Sequence, residues 1–341
     1  MKKKFVLTLA LVLMVAGTLV AATPIEVSGT FDYGYDFELS DGTVGASGNA
    51  GELVTLLDFT GDFWKVSLDS GTPVEYHDEQ SVTATAEIYL DKALAEEGID
   101  MGDIALTLHV GNGVGDGYPS VLADKNDYVG DYLGNDTVDL SLAMAGAPDN
   151  FGVTVKYADM VEVYASADPT VKEAPMVLGA KVMPVDGVEV AVGFTNAFQA
   201  LESNAMAISA KADVAALAGL DFALAATGEF LLDLENEENV ITADVDGSYK
   251  GIGLWVAFQN SSYAEDSRMA AEVSYETTVS DFDISASFNA DLGWFDDDDD
   301  QEFTIGAGAS YAMGGATYAL DAEYKVEAET FTVSPSVSIS F

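Results

Sequence analysis

Apolar and polar residues alternate along almost the whole of this chain, with a period of two. In 282–294, Phe282, Ile284, Ala286, Phe288, Ala290, Leu292 and Trp294 fall on one side, with Asp283, Ser285, Ser287, Asn289 and Asp291 on the other. Successive side chains of an extended chain point to opposite faces, so this pattern over about ten residues is a strand with one greasy and one wet face. The same alternation runs through 25–39, 104–110 and 138–144, and it continues to the final residue, Phe341. Chain ends normally fray. An end that alternates and finishes on an aromatic is built to be held. Helical periodicity is nearly absent: "DKALAEEGID" supports one short turn, and "VAALAGL" a weaker one.

The pattern predicts 18 strands, at 25–39, 53–60, 63–69, 82–90, 104–111, 137–145, 151–167, 175–184, 187–196, 204–214, 220–230, 239–250, 252–260, 268–277, 280–292, 302–313, 316–325 and 329–341, with 16 as the alternative. Connections after odd-numbered strands are longer and polar, as at 40–52, 70–81, 112–136 and 293–301. Those after even-numbered strands are mostly tight: Gly61-Asp62, Ala147-Pro148-Asp149, Asp186, Gly251 and Gly314-Gly315. Long loops on one rim and short turns on the other are the plan of a transmembrane, antiparallel up-and-down β-barrel. The fold class is therefore all-β. Such a wall carries apolar residues outward to lipid and polar residues inward to water, and Asp159 is the one charge found on the apolar face inside a strand. Aromatics gather at the two levels expected of interfacial girdles. Phe59, Trp64, Phe151, Tyr249, Phe282, Tyr318 and Phe341 fall near the short turns; Phe37, Phe194, Phe230, Phe258, Trp294, Phe303 and Phe331 fall near the long loops. A closed wall also explains the terminus, because a last strand left unpaired in hydrocarbon would strand its backbone polar groups.

The first 22 residues have a different character. Lys2, Lys3 and Lys4 precede an apolar run from Phe5 to Val20, followed by small residues, which is the layout of a secretory signal peptide cleaved after Ala22. The remainder, 23–341, shows no linker or composition break and reads as a single barrel. There is no cysteine, hence no disulfide, thiol nucleophile or thiolate metal site. Without the leader, 10 basic residues face 58 acidic ones, a net charge of −48. Nothing could neutralise a phosphate backbone, so nucleic acid is excluded as a partner.

The chain resembles a bacterial outer-membrane porin in three respects. The first is the alternating pattern over 23–341, the second the terminal aromatic Phe341, and the third a longest loop, "NGVGDGYPSVLADKNDYVGDYLGND", between the fifth and sixth strands. The resemblance implies that this loop folds inward as the constriction, with Asp116, Asp124, Asp127 and Asp131 supplying charge, Lys125 beside them, and Tyr118, Tyr128 and Tyr132 supplying bulk. It also implies a homotrimer, contact with outer-membrane lipid, insertion by the barrel assembly machinery, and Phe341 as the barrel-closing residue. Three features depart from the pattern. Arg268 is the only arginine, so a wall cluster opposite an acidic loop is lacking; Pro335 sits inside the closing strand, where a bulge is expected; and Asp159 would face lipid if 151–167 is one strand. A turn at 158–160 would remove that cost but raise the strand count to 19.

The inward positions carry the expected function. They include Asp32, Asp36, Glu87, Asp139, Asp244, Asp246, Glu272, Asp283, Asp291, Asp321 and Glu323, against Lys156, Lys181 and Lys211. A lumen lined by carboxylates concentrates cations and repels anions. The expectation is a water-filled, cation-preferring channel for ions and small hydrophilic solutes, with no catalysis and no cofactor. The alternative is a structural barrel of the outer envelope. Asp296, Asp297, Asp298, Asp299 and Asp300 form a run that could hold calcium loosely, although adjacent aspartates are more often a solvated loop. "GNGVGDG" has no helix after it and is loop glycine, not a dinucleotide fingerprint. His77 and His109 read as ordinary polar residues, and an outer-membrane hydrolase built around His77 is the remote third reading.

Overall fold

The computed structural model describes residues 25–40, 43–46, 53–69, 83–111, 150–158, 160–170, 174–198, 203–262, 266–294 and 301–341. Twenty strands and two short helices lie among these residues. The strands are β1 Glu26–Gly34, β2 Phe37–Ser40, β3 Thr43–Ala46, β4 Leu53–Gly61, β5 Trp64–Asp69, β6 Thr83–Tyr89 and β7 Ile104–Gly111. They continue as β8 Asn150–Tyr157, β9 Val161–Ala167, β10 Met176–Val185, β11 Val188–Phe198, β12 Ser203–Asp213, β13 Ala223–Asp233 and β14 Asn239–Tyr249. The set ends with β15 Ile252–Ser261, β16 Asp266–Val279, β17 Phe282–Trp294, β18 Glu302–Met313, β19 Ala316–Lys325 and β20 Thr330–Ser340. The helices are α1 Leu90–Glu96 and α2 Val214–Ala218.

Every neighbouring pair is antiparallel, and β20 pairs with β1, so the sheet closes on itself. β2 prolongs β1 against β20 in the same register, with Gly34 opposite Ser336 and Phe37 opposite Val333, and β3 turns back on β2. The ring therefore has 18 staves: β1 with its extension, then β4 to β20. In a closed ring each backbone donor finds an acceptor on a neighbour, which is the condition for crossing hydrocarbon with strands. The solvent preference is inverted relative to a soluble sheet. Phe288, Leu254 and Ile208 stand outward and exposed, while Thr195, Gln259 and Asp244 point inward and are buried.

Eighteen staves agree with the sequence reading, but two of them differ from it. The segment 151–167 is not one strand. The chain reverses between Tyr157 and Val161, which face each other across β8 and β9, and Ala158 takes a left-handed backbone (φ +46°). Asp159 itself lies outside the described residues. β7 pairs directly with β8 from Ile104 opposite Tyr157 to Gly111 opposite Asn150, which leaves no place in the wall for a strand at 137–145. Residues 137–145 lie outside the described residues. One stave is lost and one gained, so the parity holds and both ends of the wall stay on the same rim.

The same shift moves the expected tight turn at 147–149. Asn150 sits opposite Gly111 at the long-loop end, so the whole of 112–149 connects the fifth and sixth staves on that rim. Phe151 belongs to the long-loop girdle, and Tyr157, exposed at the other end of β8, takes the short-turn position. α1 and α2 both sit on the short-turn rim, in the β6–β7 and β12–β13 connections. Asp213 starts α2 by accepting a hydrogen bond from the Ala216 N–H at 2.8 Å, an N-cap that meets one orphan donor.

No bulge forms at Pro335. The register runs unbroken through Leu320 opposite Pro335 on one side, and from Gly34–Ser336 to Phe37–Val333 on the other. The Tyr35 N–H still donates to the Pro335 carbonyl at 3.1 Å. A strand residue bonds to one neighbour at a time, so the missing N–H removes only the return bond to Tyr35. That is where the first stave divides into β1 and β2.

Candidate pore

Alternation sends every second side chain of each stave into the lumen. The inward lysines are each set beside a carboxylate. Lys156 pairs with Glu162 at 3.0 Å across the β8–β9 hairpin, and Lys181 lies opposite the same Glu162 on β10. Lys211 lies opposite Glu189. Lys65 reaches Asp58 at 2.9 Å, Lys325 reaches Glu302 at 3.0 Å, and the buried Arg268 reaches Asp291 at 3.1 Å. Among the described residues each positive charge of the wall thus has a carboxylate beside it, Lys156 and Lys181 sharing Glu162.

Several inward carboxylates gather on one arc. A cavity of about 520 Å³ is lined by Asp36, Glu272, Glu276, Asp321 and Glu323 with serine and threonine hydroxyls between them. A neighbouring cavity of about 510 Å³ shares Glu276 and Asp321 and adds Asp283. Neither lining holds a lysine or arginine among the described residues. Across the ladder, Asp321 faces Gly308 and Ser334, Glu323 faces Gly306 and Thr332, and Glu276 faces Ser285, so none has a cation directly opposite, although Lys325, two residues along β19, interacts electrostatically with Glu323. Asp283 accepts a hydrogen bond from the Thr278 hydroxyl at 2.8 Å.

Other residues expected in the lumen have different surroundings. Asp32 faces Ser338 beside the seam. Glu87 accepts from the Tyr89 hydroxyl at 2.8 Å. Asp244 is buried, while Asp246 is half-buried on the same stave. His109 shares a hydrogen bond of 2.9 Å with the Thr154 hydroxyl and stands edge-on to Tyr164. Phe341 closes the ladder: its N–H donates to the Gly29 carbonyl at 3.1 Å, and the Gly29 N–H donates back at 2.9 Å. Asp139, His77, the aspartate run 296–300 and the whole expected constriction, Asp116, Tyr118, Asp124, Lys125, Asp127, Tyr128, Asp131 and Tyr132, lie outside the described residues. No three acidic or histidine side chains converge as a metal site among the described residues.

Glu276 and Gly308 were missed by the sequence reading. Glu276 was legible, standing two and four residues beyond Ser274 and Glu272 on the inward parity. Gly308 was not, because a glycine on an alternating strand carries no sign of which face it serves.

No protein-family model matches the chain, and no curated protein matches it in sequence. Solved structures do. OpdL of Pseudomonas aeruginosa aligns over 93% of this chain and 98% of its own, with a TM-score of 0.54 and 8% identity. OccAB2 of Acinetobacter baumannii aligns over 93% and 98%, with a TM-score of 0.52 and 8% identity. The fold is that of a porin-like outer-membrane barrel. A porin of Rhodobacter blastica also matches, at 12% identity over 93% of this chain and 100% of its own, with a TM-score of 0.48.

Proposed function

We propose that this chain is an outer-membrane porin, a preformed aqueous hole that passes ions and small hydrophilic solutes by diffusion and prefers cations. The observation that carries the reading is the inner wall. Its lysines and arginine have carboxylate neighbours, while Glu276 and Asp321 beside its open cavities have only serine and glycine across the ladder. Fixed negative charge beside a water-filled passage raises the local concentration of cations. Nothing chemical is transformed, and no cofactor is needed; any calcium at 296–300 would be loosely held. The proposal includes export through a leader cleaved after Ala22, insertion into outer-membrane lipid by the barrel assembly machinery, a homotrimer, and narrowing of the lumen by the connection after β7. The purified barrel in a planar bilayer under a potassium chloride gradient is expected to conduct in discrete steps, with a reversal potential on the cation side. A reversal potential on the anion side would remove the cation preference. A second reading, a structural envelope barrel, draws on the burial of inward residues such as Gln259 and Thr195, and an inserted barrel that does not conduct would select it.

A further inference from the structure

The inner face is not uniform around the ring. On the staves from β9 to β15, inward side chains from mid-wall to the long-loop rim are sealed off: Ser166, Val177, Thr195, Ser209, Leu231 and Gln259 are at most 4% exposed. A side chain on the wall of an open passage meets water, and these do not. Past Arg268 and Thr304, which are also buried at the long-loop ends of β16 and β18, the inward Ser285, Asp321 and Glu323 are exposed. Both cavities described above lie on this second arc. Its floor is low. Gly308 faces the lumen between Ser285 and Asp321, and a Cβ there would come within 2.6 Å of the Ser285 hydroxyl and closer still to the Asp321 carboxylate. No side chain of β18 therefore stands between those groups and the water.

We propose that ions cross the barrel off-centre, along the inner face of β16 to β20, and that Glu276, Asp321 and Glu323 set the cation preference. The inference rests on the porin reading and goes beyond it by naming the path and the residues. The carboxylates act as a field along the path and not as a fixed binding site: potassium stays hydrated and is enriched beside them. On the opposite arc, Glu162 and Glu189 have lysines across the ladder, so the field they project is largely cancelled locally.

Two equal losses of charge separate the arcs. The variant Asp321→Asn/Glu323→Gln is compared with Glu162→Gln/Glu189→Gln by reversal potential in planar bilayers. The first is expected to lower the potassium-to-chloride permeability ratio about twofold or more, and the second to change it much less. Equal falls in both variants, or a fall in neither, would overturn the off-centre path. A wild-type barrel that inserts and does not conduct would instead remove the porin reading, and this inference with it. The cysteine-free chain supplies a second measurement that does not depend on selectivity. In the folded barrel, Ser285→Cys is expected to react with a cationic methanethiosulfonate at least about tenfold faster than Ser209→Cys, since thiol reactivity follows exposure. Similar rates would place water on both arcs and sink the proposal.

Discussion

Gly29 and Phe341 meet at the seam, where the last residue of the chain must behave like the middle of a strand. Their two backbone hydrogen bonds complete the ladder, and the Phe341 ring lies over the glycine, 3.0 Å from where a Cβ would be. That same Cβ would come 2.5 Å from the Leu56 carbonyl, so the seam is closed on both sides of Gly29. Gly29→Val must therefore push backbone, and overpacking of this kind costs about 1–3 kcal/mol. The expected outcome is a lower temperature for conversion of the folded barrel to the unfolded form on electrophoresis. Ser28→Ala, on the other face of the same strand, should leave that temperature nearly unchanged. The role of the terminal aromatic was legible in the alternation of 330–341, because a period of two has physical meaning only within a sheet. The tolerance of Pro335 was not. It depends on which of two neighbours each residue bonds to, and that parity exists only once β20 is seated between β19 and β1.

The β8–β9 hairpin shows what alternation leaves out at the level of an element. Residues 151–167 carry no glycine after Gly152 and no proline, and Ala158 reverses the chain in a left-handed conformation that costs a residue with a Cβ roughly 1–2 kcal/mol. With no turn residue to mark it, the only trace was Asp159, a charge on the greasy face. Conversely, 137–145 alternates well, yet β7 pairs directly with β8, since amphipathic patterning states that a segment can be a strand and not which strand it meets. The hairpin makes a direct prediction. Lys156 and Glu162 face each other in it, whereas one continuous strand would hold them about 20 Å apart at 3.3 Å per residue. Lys156→Cys/Glu162→Cys should form an intramolecular disulfide under mild oxidation, read as a mobility shift that reductant reverses. Thr154→Cys/Glu162→Cys, off register, should form much less. Equal cross-linking of the two pairs would reject this register.

For the molecule as a whole, the inversion of solvent preference was legible because it is written in every strand at once. The two-sided lumen was not. A sequence shows how much charge each strand carries, but which strands face one another follows from closure, and closure brings the lysines of β8, β10 and β12 across from the carboxylates of β16 to β19. Closure by an even number of staves also fixes sidedness. β1 begins and β20 ends on the rim that carries the two-residue turns 62–63, 186–187, 250–251, 280–281 and 314–315. In outer-membrane barrels the short turns are periplasmic and the longer loops extracellular. An epitope inserted between Glu327 and Ala328, in the β19–β20 loop, should be reached by antibody on intact cells. The same epitope between Gly314 and Gly315 should be reached only after the outer membrane is permeabilised. Gly314 and Gly315 both have positive φ, a turn that lies outside the ladder, so the insertion leaves the stave pairing intact. The reverse pattern would turn the barrel over. Accessibility of both epitopes on a water-soluble chain would remove the membrane, and with it the reason for putting Phe288 outside and Asp321 within.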